Sequence, residues 1–194
     1  MENKEYVRHF INDNCIYREP NSKVLLRKGA KIGSNNPSDY NTWLFNIHAA
    51  MYDAKTMQII TNHFYETFKD QLSTHQIVGL EHASTAMISS FVFNSDIEIS
   101  AFSIRKEQKT YGTLTWFEGL YDKEKPIILI DDMSSSSRNA LNHGINILKK
   151  HNFVHDPLFY CIVDLGNDEK IQSMFKRSDF ELDYDKYVES KQIV

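Results

Sequence analysis

The chain has 194 residues, 41% of them hydrophobic and 25% charged, and a formal net charge of −4. That fits one ordinary globular domain with a small extra cap and excludes collagen-like, low-complexity and wholly disordered chains. The negative balance gives no global basic field, so nucleic acid is not predicted as a direct partner. No apolar run is long enough to span a membrane, and the polar start Met1-Glu2-Asn3-Lys4-Glu5 lacks a secretory pattern, so a cytoplasmic protein is expected.

Residues 1–40 carry little periodic signal, apart from a short strand or turn at Val24-Leu25-Leu26-Arg27 and a turn-rich stretch from Gly33 to Asp39. They read as an N-terminal cap, which sets the expected division at 1–42 and 43–194. Trp43, Leu44, Phe45, Ile47 and Met51 suggest a buried helix or an extended segment leading into one. Asp53 is placed to cap a helix in which Met57, Ile60, Phe64, Phe68 and Leu72 recur at three- and four-residue steps. Gln76 to Leu80 reads as a strand, Ser84 to Phe93 as a helix and Ile97 to Ile104 as a strand. Residues 105–115 are polar and read as a loop. Pro126 precedes the apolar strand Ile127-Ile128-Leu129-Ile130, which ends at Asp131-Asp132. A helix follows from about Ser137 to Lys150, then a strand from Leu158 to Leu165, a short helix from Asp168 to Phe175 and a last strand at Phe180-Glu181-Leu182. This alternation predicts an α/β fold with a mostly parallel central sheet flanked by helices.

Ligands of open α/β sheets sit at the carboxyl ends of the strands. Asp131 and Asp132 fall at such an end and suit vicinal hydroxyls, as on a ribose, or a divalent cation. The serines 134–137 and the helix start behind them offer hydroxyls, backbone amides and a positive dipole end to a phosphate. Cys15 and Cys161 are too few and too scattered for a disulfide framework or a zinc site, and His82, His143 and His151 read as surface or packing residues, so no metal site is placed on them.

Residues 127–137 resemble the phosphoribosyl pyrophosphate motif of type I phosphoribosyltransferases. Arg105-Lys106-Glu107-Gln108-Lys109-Thr110-Tyr111-Gly112 is similar to the flexible loop of the orotate phosphoribosyltransferases, with Tyr111 in place of a histidine. Ile77 to Ser84 is similar to that family's pyrophosphate loop, and Glu118-Gly119 follows its order. The resemblance covers roughly residues 76–165 and implies the type I phosphoribosyltransferase fold with an N-terminal cap or hood. It implies Asp131 and Asp132 on the ribose hydroxyls, Ser135, Ser136, Ser137, Arg138 and Asn139 at the 5′-phosphate, and Glu81, Ala83 and Ser84 at the pyrophosphate. Arg105, Lys106, Lys109 and Tyr111 would close over the leaving group, with Mg2+ sharing the neutralisation of its charge. It also implies a homodimer, built on the apolar helices of residues 43–72 or 84–93, or a place in a larger complex.

The chain departs from the family where glycines are expected. Only seven glycines occur in 194 residues. The glycine pair of the pyrophosphate loop is replaced by Ala83-Ser84, and that of the phosphate loop by Ser137-Arg138. A Cβ at these positions is expected to crowd the phosphates, while Arg138 offers a guanidinium instead. Three functions fit this pattern. The first is a Mg2+-dependent phosphoribosyltransferase acting on phosphoribosyl pyrophosphate and a nitrogenous base. The second is a degenerate, non-catalytic sensor or effector subunit, such as part of a bacterial phage-defence module of the retron type. The third is an α/β domain with an unrelated ligand.

Overall fold

The computed structural model describes residues 2–18, 43–108, 115–135 and 137–192. The segments Val24–Arg27 and Gly33–Asp39, with Lys109, Tyr111 and Ser136, lie outside the described residues. Two compact units result, one of Met1–Ala50 with Ser178–Val194 and one of Met51–Arg177. The division expected at residues 42 and 43 thus falls inside the first unit, which also takes in the C-terminal segment.

The first unit contains helix α1 (Glu2–Asn14), a hairpin of β1 (Ile16–Arg18) and β2 (Trp43–Phe45), and the short helix α2 (His48–Met51), which ends at the unit boundary. Helix α6 (Tyr184–Gln192) closes the chain. The sequence reading found neither α1 nor α6, whose exposed faces are rich in charge. Arg18 holds this unit together. It is 5% exposed, donates to the Glu181 and Asn12 carbonyls at 2.8 and 2.9 Å, and lies 4.1 Å from the Tyr187 ring centroid. Phe180 packs edge-on against Phe45 with ring centroids 5.5 Å apart. Residues 180–182, expected as a strand, are irregular because the backbone of Glu181 is committed to Arg18.

In the second unit the described strands form one six-stranded sheet. It contains β3 (Gln76–Leu80), β4 (Ala101–Ile104), β5 (Phe117–Gly119), β6 (Ile127–Ser134), β7 (Leu158–Asp164) and β8 (Ile171–Lys176), in the order β5-β4-β3-β6-β7-β8. Only the edge strand β5 runs antiparallel among these. The predicted α/β class and mostly parallel sheet are therefore observed.

Helices cover both faces of the sheet. Helix α3 (Ala54–Phe68) starts where Asp53 accepts a hydrogen bond from the Thr56 amide at 2.8 Å, as a cap should. Its stripe and helix α4 (Thr85–Phe93) bury an aromatic cluster, in which Phe64 stacks on Phe91 at 4.1 Å and Tyr160 meets both edge-on. Helix α5 (Asn139–Lys150) covers the opposite face, where Leu141, Ile147 and Leu148 pack with Val78, Leu80, Leu129 and Phe159. Gly144 lets α5 approach that face, since a Cβ there would sit 3.3 Å from the methyls of Leu129 and Leu80.

Several boundaries differ from expectation. The helix expected at 168–175 is strand β8, whose buried Ile171, Met174 and Phe175 mimic a helical spacing. Residues 97–100 stay outside β4. Strand β6 continues past Ile130 through both aspartates, because β7 pairs with it as far as Ser134.

Candidate functional site

The parallel register places one row of residues along the C-terminal edge of the sheet. Leu80 pairs with Ile104 on one side, and Gly79 pairs with Ile130 on the other, so the next row brings Glu81 beside Arg105 and Asp132, with Asp131 one step back in the row of Leu80. The Glu81 amide donates to the Ile104 carbonyl at 2.7 Å, which fixes that row.

Asp131 is 3% exposed, and its Oδ1 accepts the Asp132 amide at 3.0 Å. Burial pushes its carboxyl well above the ordinary carboxylate range, and the neighbouring Asp132 carboxylate adds to the effect. Side chains alternate along a strand, so Asp131 shares the α5 side with Leu129 and Asp132 takes the other. The pair therefore flanks the C-terminal part of the strand from both sides of the sheet. Each carboxylate offers hard oxygen donors of the kind Mg2+ takes, so either residue fits as a single protein ligand to the ion.

The loop between β6 and α5 carries Ser135 and Ser137, with hydroxyls 3.0 Å apart. Asn139 opens α5 and is exposed. Arg138 precedes it with φ +51° and ψ +25°, in the left-handed region. The arginine expected at a glycine position of the resembled motif thus has a glycine-like backbone, at about 1–2 kcal/mol of strain. Its side chain does not lie open for a phosphate. Nη1 pairs with Asp168 Oδ2 at 2.8 Å, the guanidinium carbon lies 5.6 Å from the Phe159 ring centroid, and Nε is buried with no hydrogen-bond partner among the described residues.

The loop after β3 shows a related departure. The positive φ, +68°, falls on the exposed His82 rather than on Ala83 or Ser84. Ser84 is fully buried, and its hydroxyl donates to the Leu80 carbonyl at 2.7 Å, so it faces the sheet and not a ligand. Ala83 is half-buried beside it. Arg105 is held between carboxylates, with Nη1 at 2.8 Å from Glu118 and 3.3 Å from Glu81. Lys106 is exposed. Among the other histidines His143 is exposed, and His151 packs edge-on against Phe117, with ring centroids 5.2 Å apart.

No family model matches the chain. Over 71 residues it is 37% identical to uridine 5′-monophosphate synthase of Caenorhabditis elegans, a match that spans 36% of this chain and 14% of that protein's length. Among solved structures, a phosphoribosyltransferase from Corynebacterium diphtheriae superimposes with a TM-score of 0.69 at 16% identity, covering 92% of this chain and 98% of that one. The chain has the type I phosphoribosyltransferase fold. Orotate phosphoribosyltransferase of Mycobacterium tuberculosis, solved with 5-phospho-α-D-ribosyl 1-diphosphate, gives a TM-score of 0.64 at 14% identity over 91% of this chain and 98% of that one.

Set on the phosphoribosyltransferase fold, the sequence reading missed residues at the end of β7. Asp164 is fully buried and accepts the Gly166 and Asp168 amides at 2.9 and 2.8 Å and the Lys176 ammonium at 2.7 Å. The signal was available in the sequence. Asp164 ends an apolar strand and leads into a Gly-Asn-Asp turn, the same logic that singled out Asp131. No described helix is long and apolar enough to cross a membrane.

Proposed function

We propose that the chain binds phosphoribosyl pyrophosphate or a related phosphoribosyl nucleotide, and that it transfers the phosphoribosyl group to or from a nitrogenous base. The observation that carries this reading is the acidic pair near the C-terminal end of β6, Asp131 buried and Asp132 half-buried, with Glu81 and Arg105 on one side and the serine loop on the other. Carboxylates at Asp131 and Asp132 would accept hydrogen bonds from the vicinal ribose hydroxyls and so orient the anomeric carbon. The bond from that carbon to the pyrophosphate breaks through an oxocarbenium-like state, and negative charge builds on the leaving group. Arg105, Lys106 and Lys109 would stabilise that charge, and Ser135, Ser136, Ser137 and Asn139 would hold the 5′-phosphate. Mg2+, held by one of the two carboxylates, Asp131 or Asp132, together with the ligand's own oxygens, would supply further neutralisation of the pyrophosphate.

A second reading, binding without catalysis, is favoured by the ion pairs that occupy Arg105 and Arg138. The phage-defence setting finds no support in the similarities described. Calorimetric titration with phosphoribosyl pyrophosphate and Mg2+, followed by assay for pyrophosphate release with a panel of bases, separates the two. Binding with release is expected. Binding without release would leave a sensor, and absence of binding would remove the phosphoribosyl reading. A homodimer belongs to the same proposal, so sedimentation should give twice the 22.7 kDa chain mass at micromolar concentration. A clean monomer would count against it.

A further inference from the structure

We propose that Asp168 determines the phosphate selectivity of this site, by holding the Arg138 guanidinium in an internal ion pair and away from an incoming phosphoryl group. The inference rests on the phosphoribosyl reading above. Arg138 stands at a phosphate-loop position and carries the loop's full positive charge, yet Nη1 is 2.8 Å from Asp168 Oδ2. A phosphate dianion entering the loop meets a guanidinium already neutralised and a carboxylate that repels it.

Asp168 is not free to swing aside. Its amide donates to Asp164 Oδ2 at 2.8 Å, and its own Oδ1 accepts the Lys170 amide at 2.9 Å. Asp164 is in turn fixed by the Gly166 amide and by Lys176, whose ammonium also lies 3.4 Å from the Asp168 carbonyl. The carboxylate that faces Arg138 is therefore preorganised by the turn between β7 and β8. On this arrangement the sugar hydroxyls, through the acidic pair, contribute most of the affinity. The phosphate contributes less than an open basic loop would give.

The test is a double-mutant cycle read by calorimetry with ribose 5-phosphate, with inorganic phosphate as a second probe. It uses the intact chain, Asp168→Asn, Arg138→Gly and the double variant. Asp168→Ser, which keeps an acceptor for the Lys170 amide, serves as a second version should Asn perturb the turn. Asp168→Asn is expected to tighten ribose 5-phosphate by about tenfold or more. In the Arg138→Gly background the same change should give a clearly smaller gain, since only the repulsion by the carboxylate is then relieved. An equal gain in both backgrounds would mean that the ion pair is not what sets the affinity and would overturn the inference. Suppose the intact chain binds ribose 5-phosphate and neither Asp168 variant binds it more tightly. The inference then falls and the phosphoribosyl reading stands. If none of the chains binds ribose 5-phosphate at millimolar concentration, both fall together.

Discussion

Asp131→Asn is expected to make the ligand-free protein more stable at pH 8 and to weaken binding of phosphoribosyl pyrophosphate by tenfold or more. The two effects share one cause. Asp131 is buried beside a second carboxylate, and its carboxyl is held well above the ordinary range. A raised carboxyl favours the folded state fully below the unfolded value, near pH ~3.9. That contribution is lost as pH rises through the folded value. The intact protein should therefore lose stability relative to the Asn variant from about pH 4 upward. The gap should level off once Asp131 has ionised in the folded state. Asparagine keeps the oxygen that accepts the Asp132 amide and carries no charge to desolvate. A gain on the order of 1 kcal/mol at pH 8, or about 2–4 °C in Tm for a chain of this size, follows from removing a buried uncompensated charge. The ligand side runs the other way, because hydrogen bonds to a charged acceptor are roughly twice as strong as neutral ones. Ligand-induced stabilisation, which follows RT ln(1 + [L]/Kd), should shrink accordingly. Thermal melts from pH 4 to 9, with and without phosphoribosyl pyrophosphate, check both halves. A variant that is less stable at every pH would make Asp131 a structural residue and move the site elsewhere.

The uneven legibility of the sequence has physical causes. Strands β3, β6 and β7 were readable because both faces of a parallel sheet are covered, which forces continuous apolar runs such as Ile127 to Ile130. Helix α3 was readable from its stripe and its Asp53 cap. Strand β8 was misread because an edge strand needs fewer buried side chains, and its Ile171, Met174 and Phe175 happen to fit a helical period. Strand β5 is three residues long and leaves only Phe117 buried, too short a signal for any pattern. At the site, residue types and order gave the acidic pair and the serine loop. They did not give the partners of the arginines. Glu118 and Asp168 lie 13 and 30 positions from Arg105 and Arg138 in the sequence, and only the strand order brings them together. The expectation that lost glycines crowd the phosphates at Ala83 and Ser84 also needed the fold. In these two loops the positive φ angles fall on His82 and Arg138.

The same fold explains why Gly79 is retained in a chain poor in glycine, and predicts a large penalty for replacing it. Gly79→Ala is expected to destabilise the protein by about 3 kcal/mol, at the upper end of the cost of overpacking a core. The reason is space. A Cβ on Gly79 would lie 2.0 Å from Ser84 Oγ, 2.7 Å from Ser84 Cβ and 2.7 Å from Ile88 Cδ1. The isoleucine methyl can rotate away. Ser84 cannot do so easily, because its hydroxyl is bound to the Leu80 carbonyl and its backbone begins α4. The side chain at Ser84 thus depends on the absence of one at Gly79. Ser84→Gly alone should cost about 1 kcal/mol, for the lost hydrogen bond and the added backbone freedom. Combined with Gly79→Ala it should recover part of the larger loss, since the colliding side chain is gone. The two substitutions should therefore be strongly non-additive, with a coupling of about 1–3 kcal/mol, as for residues in direct contact. Urea unfolding of both single variants and the double variant measures this. If Gly79→Ala costs under 1 kcal/mol, or if the two losses simply add, Ser84 has another place to go. The close packing of β3 against the loop that follows it would then not be what fixes that loop's shape.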